Sequence, residues 1–464
     1  MTFSTPNLKA LMMALLLLLA PSRAEGLVTQ TPPEPRREQL LNGLRVLLAH
    51  RPNDANVYLH LRIHSGAAFD LAGKAGTMAL LGDALFPDPN TREYFVEELG
   101  GRVEVTSDYD TIDVMLSGHA SKFERIVELL STALISTDLT PPVVTRLRDA
   151  RIKMVRELGI SPVLAADRAI AARLFGNYPY GRPRIGSQET LVRIERPDLM
   201  QARERFLNPN NATLVIIGGV AERRAMRALK QLLGNWRKSD AIVPATFRQP
   251  EAPDARTLIV DLPGTEAAEV RIAARGLASS DTDAPAATLL ALAGRDLWMS
   301  QQPNLGQTPY FVRHESHQLP GMFVMGASVP LSEVANTVSK AREVVAMLLM
   351  GGVPPETLER LKSEAIGELT RQVDRSETLA DLWLDTDTFQ LASFDERLRQ
   401  LRNVSVADLI RTANRIFKDG KVVSVAAGNA TRLKADLERS GKVEVLGEIT
   451  MPVSPSVTLP AKKQ

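Results

Sequence analysis

The chain has 464 residues, with 56 Lys and Arg against 54 Asp and Glu, 44% hydrophobic, 24% charged and 5% aromatic residues. That length exceeds what one hydrophobic core usually serves, so two or more domains are expected. The near balance of charge and the scarcity of aromatics leave no electrostatic or stacking basis for nucleic-acid binding, and the absence of cysteine excludes disulfides, a thiolate nucleophile and a lipid-anchored N-terminus.

The N-terminus reads as an export signal. Lys9 precedes an unbroken apolar run from Ala10 to Ala20, and Ser22-Arg23-Ala24 places small residues where a signal peptidase reads them. The run is too short to cross a bilayer readily. Residues 1–24 are therefore expected to be a cleaved signal peptide, which leaves no stable membrane anchor and directs the chain to the periplasm or the exterior. Cleavage removes Lys9 and Arg23 and no acid, so the remainder has formal net charge zero.

Residues 25–39, rich in Pro and charge, read as a linker. Residues 44–49 and 57–64 read as strands; in the second, Tyr58, His60, Arg62 and His64 face one way and Val57, Leu59, Leu61 and Ile63 the other. A turn at Ser65-Gly66-Ala67 leads to a short apolar helix over 76–86. A second helix follows over 91–99, with Asn90 or Thr91 as its cap. Residues 102–117 alternate as a hairpin turning near Asp108. Helices are expected over 122–136, 141–158, 164–175, 196–206 and 221–233. The loop Asn177-Tyr178-Pro179-Tyr180-Gly181 and a buried strand over 212–217, ending at Gly218-Gly219, complete the first half.

Residues 238–256 read as a linker, and the plan then repeats. Asp198-Leu199 is echoed by Asp408-Leu409, Arg205 by Arg415, Val215 by Val425, Gly218 by Gly428 and Gly66 by Gly276, each at the same offset of 210. This suggests two homologous halves, residues 40–237 and 257–450. The second holds expected strands near 270–274, 310–313 and 322–329 and helices over 285–298, 331–350, 355–373 and 380–392. Residues 451–464 form a Pro-rich tail.

Ala79, Gly82 and Asp83 stand at i, i+3 and i+4 on the helix over 76–86, so one face presents all three. Its surroundings, in order, are Ser65-Gly66-Ala67, Gly76-x-x-Ala79-Leu80-Leu81-Gly82-Asp83-x-x-Phe86, Leu99-Gly100-Gly101, Tyr178-Pro179-Tyr180-Gly181 with Ile185-Gly186, and Phe206-x-Asn208-Pro209-x-Asn211. With the duplication, this series resembles the insulinase/pitrilysin superfamily of zinc metallopeptidases over most of residues 40–430. The resemblance implies an α+β fold (α/β roll) of two homologous halves, each a mostly antiparallel sheet covered by helices, forming a clamshell.

Active members of that superfamily carry an inverted H-x-x-E-H motif, in which two histidines bind zinc and the Glu activates a water. The resemblance places the histidine slots on Ala79 and Asp83, the base slot on Gly82 and a third ligand on Glu157. Ala has no donor and Gly no base. Two carboxylates without imidazole make a poor zinc site, so these four are vestigial positions, and no catalytic, cofactor-binding or metal residue is expected in this chain.

Other residues offer no substitute. His60 and His64, four apart in a strand, lie about 13 Å apart. His314 and His317 read as surface or loop residues. No G-x-S-x-G occurs. The superfamily's second half contributes an Arg and a Tyr to substrate contact; Tyr310 matches the Tyr, whereas the Arg slot falls on Pro303, with Arg295 or Arg313 as substitutes and packing against the core as the alternative role for Tyr310.

The expected function is that of an exported, non-catalytic homologue resembling the inactive subunits of processing-peptidase-like heterodimers. It would bind unstructured peptide and complete the chamber of an active zinc metallopeptidase paralogue; the zinc would sit in that partner, with no cofactor here and proteolysis only in the pair. The alternatives are a stand-alone peptide-binding or scaffold protein and an active peptidase with a different site.

Overall fold

The computed structural model describes residues 34–159, 161–240, 253–418 and 421–447. The expected signal peptide, the C-terminal tail and most of the 238–256 linker lie outside them.

The first half is a six-stranded sheet: β1 (Arg36–Gln39), β2 (Arg45–His50), β3 (Asn56–Ile63), β4 (Val103–Ser107), β5 (Ile112–His119) and β6 (Ala212–Gly218). The order is β1-β2-β6-β3-β5-β4, antiparallel except for the β2–β6 pair. The second half has β7 (Thr257–Asp261), β8 (Ala267–Arg275), β9 (Tyr310–Glu315), β10 (Met322–Pro330), β11 (Val423–Gly428) and β12 (Val443–Leu446). Its order is β12-β7-β11-β8-β10-β9. Five strands correspond one to one. The sixth is supplied from opposite sides of the repeat: β1 precedes the first unit and β12 follows the second. Thus the expected linker over 25–39 ends sooner than its composition suggests, because Arg36–Gln39 pairs antiparallel with Leu48–Arg45 as an edge strand, where exposed charge is tolerated.

The repeat has a physical basis at the echoed residues. Asp198 and Asp408 are each the third residue of a helix, and each carboxylate accepts the cap's N–H, from Glu195 and Ser405, at 2.8 Å. Gly218 and Gly428 end equivalent strands. The offset is not uniform. β3 meets β6 as Leu59↔Ile216 and β8 meets β11 as Val270↔Ala426, so β6 and β11 are related by 210 residues but β3 and β8 by 211. Gly66 and Gly276 therefore stand one residue apart in strand register.

Local chemistry sets the helix ends. The second helix begins at Pro89, earlier than expected, because Asp88 is its cap and accepts the Asn90 N–H at 3.0 Å, with proline in the first turn. The motif helix spans Thr77–Asp83 and starts from Gly76 at φ 99°, a backbone state that a side chain would strain.

β3 is buried on both faces. Val57, Leu59, Leu61 and Ile63 pack on the first half's own helices, with Leu80, Leu81 and Phe123. The opposite face, Tyr58, His60 and Arg62, is covered by the helix Ser376–Thr388 of the second half. Reciprocally, the helix Pro162–Phe175 of the first half lies on the second sheet, where Asp167 accepts from Arg271 Nε at 2.7 Å. Each half thus lends one helix to the other's sheet. Leu47, Tyr58, Val215 and Ile217 accordingly join the apolar cluster of the second half.

Candidate functional site

The motif helix is a core helix. Met78, Leu80 and Leu81 are at most 1% exposed, and burial of each such side chain stabilises the fold by roughly 1.5–3 kcal/mol. Its N-terminus is held by Asp70, whose carboxylate accepts the backbone N–H groups of Gly76 at 2.6 Å and Met78 at 2.9 Å. Burial pushes the Asp70 carboxyl up to about 7, against the pull of those N–H donors. Sequence reading missed this cap, because Asp70 lies outside the helix and reaches it only through the intervening turn.

The vestigial face points at the helix Pro141–Leu158. Ala79 is 1% exposed and presents only its carbonyl. Gly82 sits against β4: a Cβ there would stand 2.7 Å from Ser107 Oγ and 3.5 Å from Val105 Cγ1. Asp83 is engaged by Arg151. Arg151 Nε donates to Asp83 Oδ2 at 2.8 Å, Nη2 donates to Asp83 Oδ1 at 2.5 Å, and Nη2 also donates to the Ala79 carbonyl at 3.2 Å. This is a two-point guanidinium–carboxylate pair. Burial raises the Asp83 carboxyl and Arg151 acts against that rise.

Glu157 takes no part. Its side chain is 66% exposed and its cation is Lys153, at 3.9 Å on the same helix. Six residues past Arg151, it stands about 240° further round the helix. The structure brings Asp83 to Arg151 and leaves Glu157 in solvent. Arg151 was legible in one respect: it interrupts the apolar stripe Val144, Leu147, Val155 at helical spacing, and a charge in such a stripe needs a buried partner. Beside the pair is a cavity of about 170 Å³, lined by Phe86, Arg92, Val105, Leu147 and Met154 among others.

Tyr310 opens β9, half-buried, with its ring edge-on to Trp298 at 6.3 Å. Pro303 begins a 3-10 turn. Arg295 is tied to Glu364 at 2.8 Å and to Asp296 at 2.9 Å, and Arg313 bonds Glu315 and lies 4.3 Å over Phe311.

Four of the histidines hold structural contacts: His314 lies in a strand, which corrects its surface or loop reading, whereas His317 lies in the loop between β9 and β10, as expected. His314 lies in β9 and its Nε2 accepts the Leu277 N–H at 2.9 Å. His317 Nδ1 faces Asp110 of the first half at 3.4 Å, against Tyr109 and Tyr180. His60 Nε2 donates to Asp113 at 2.8 Å, whereas His64 Nε2 accepts from Arg45 at 2.9 Å, so the two serve different networks. Among the described residues no three His, Cys, Asp or Glu side chains converge as a metal cluster.

Two α+β halves, with a motif helix beneath the first sheet's edge strand, define a peptidase-like fold of paired homologous units. Residues 45–188 match the insulinase family (peptidase family M16), and residues 193–365 match the peptidase M16 inactive domain. The chain belongs to the M16 peptidase family. It is 21% identical over 408 residues to the zinc protease PqqE of Helicobacter pylori, covering 83% of this chain and 91% of that protein. Its fold is similar to a protease from Helicobacter pylori, with TM-score 0.79, 18% identity and coverage of 85% and 100%. It is also similar to the first half of the periplasmic protease PqqL from Escherichia coli, with TM-score 0.70, 16% identity and coverage of 88% and 97%.

The zinc implied by relatives called zinc proteases does not fit the residues present. Ala79 and Gly82 offer no side-chain donor, and the one carboxylate on the motif face, Asp83, is held by a cation.

Proposed function

We propose that this chain is a non-catalytic M16-family subunit, exported to the periplasm, that binds unstructured peptide and completes the chamber of an active zinc-bearing paralogue. The observation that carries the reading is the motif helix itself. It keeps its place, burial and cap, while its three chemical positions are Ala79, Gly82 and an Asp83 neutralised by Arg151. A chain that retains this architecture without donors or a base is suited to binding rather than to hydrolysis.

Two further points support it. One solved relative of the same extent is described as the first half of a periplasmic protease, which fits a chain of this size acting with another. The apolar run and small-residue cleavage site within residues 1–24 fit the same compartment. Tyr310, half-buried at the start of β9, remains the candidate for peptide contact.

The test is co-purification with a paralogue bearing an intact H-x-x-E-H motif, then peptidase assays of each chain and of the pair. Activity is expected from the pair. A stable chain with no such partner would favour a stand-alone peptide-binding role, and chelator-sensitive cleavage by the chain alone would overturn the non-catalytic reading.

A further inference from the structure

We propose that the guanidinium of Arg151 has taken the place of the family's metal ion, so that restoring the missing donors alone would not return this site to zinc binding. The inference rests on the chain's M16 membership and on reading Ala79, Gly82 and Asp83 as vacated slots. It is independent of any partner subunit.

The first ground is what Arg151 bridges. A metal held by this motif would join the i and i+4 positions of the motif helix to the neighbouring helix. Arg151 makes that connection. It comes from Pro141–Leu158 and reaches both oxygens of Asp83 and the carbonyl of Ala79. A permanent cation, which does not deprotonate in proteins, therefore sits on the face where a divalent cation would be bound. Its side chain is only 9% exposed and stands in the same buried stripe of its helix as Val144, Leu147 and Val155.

The second ground is space. The base slot is crowded on the sheet side: a Cβ on residue 82 would stand 2.7 Å from Ser107 Oγ of β4 and 3.5 Å from Val105 Cγ1, while Gly82 also borders the cavity beside the Asp83–Arg151 pair. A side chain there requires the Ser107 hydroxyl to turn aside.

The test compares the wild-type chain, the triple variant A79H/G82E/D83H, and the same triple combined with R151E and S107G. Zinc per chain is measured by elemental analysis after dialysis against the metal, with cobalt(II) absorption as a second readout of ligand geometry. The wild type and the triple variant are expected to hold no zinc above background, and the combined variant to hold one zinc per chain with a tetrahedral cobalt spectrum. Stoichiometric zinc in the triple variant would overturn the proposal, as would refusal of zinc by a folded combined variant. If the combined variant does not fold by circular dichroism, a thermal cycle of D83L, R151M and D83L/R151M decides. Each single change is expected to lower the melting temperature and the double to recover most of the loss, and additive losses would sink the claim. None of these outcomes bears on co-purification with a paralogue, so this inference and the proposed function fail separately.

Discussion

Asp113→Ala removes the centre of the junction between the first sheet and the helix Ser376–Thr388. The Asp113 carboxylate accepts from Arg62 Nε at 2.6 Å, His60 Nε2 at 2.8 Å and Thr111 Oγ1 at 2.6 Å. Burial alone would raise this carboxyl, but His60, Arg62 and Thr111 overrule it and hold it well below the usual carboxylate range. Arg62, itself 7% exposed, would keep Asp385 as its partner at 2.6 Å but lose the most buried of its counter-charges. Breaking a buried pair from one side costs about 3–5 kcal/mol. If the halves unfold together, the entropy of a chain this long is about 0.9 kcal/mol per degree, so a drop in Tm of roughly 3–5 °C is expected. Differential scanning calorimetry measures it. The sign of the pH dependence follows from the depressed carboxyl: Asp113's contribution is present above its unfolded value of 3.8 and disappears as pH falls below it. Wild type and variant should therefore converge in stability as pH falls from 4 towards 2. A Tm within 1 °C of wild type at pH 7, or a gap that stays constant down to pH 2, would refute the reasoning.

Two further expectations concern groups outside that junction. Burial lowers His314 from 6.5 to about 4. The unfolded chain thus binds more protons in that window, and stability should fall as pH drops from 6.5 towards 4, by up to about 3 kcal/mol from this group; His314→Gln, which keeps an acceptor for the Leu277 N–H, should flatten the slope in urea melts across that range. Asp70→Ala leaves the Gly76 and Met78 N–H groups without their acceptor. It should cost about 1–3 kcal/mol and speed amide exchange over 77–83 first, read by hydrogen-exchange mass spectrometry; uniform exchange change across the first half would count against Asp70 as the cap.

Much of the fold was legible because it depends on local pattern. Alternation in β3, the turn glycines and the repeated Asp-Leu helix starts each report short-range geometry, and the capping boxes at Asp198 and Asp408 show why that echo carries structural meaning. Residue type is equally local in what it dictates: no partner can give Ala79 a donor atom or Gly82 a carboxylate.

What the sequence alone did not decide is which distant residue meets which. Arg151 and Glu157 are six residues apart on one helix, and the choice between them depends on how that helix is rotated against Thr77–Asp83, which packing of Val144, Leu147 and Val155 sets. β3 looked like a half-buried strand with a polar face, and its second face is buried because a helix more than three hundred residues later in the chain lies on it. Residue types and their periods determined the two halves, the vacancy of the motif and the helices that surround it. Only the tertiary structure placed a guanidinium in that vacancy and exchanged a helix between the halves, because both depend on long-range packing that periodicity within a segment does not encode.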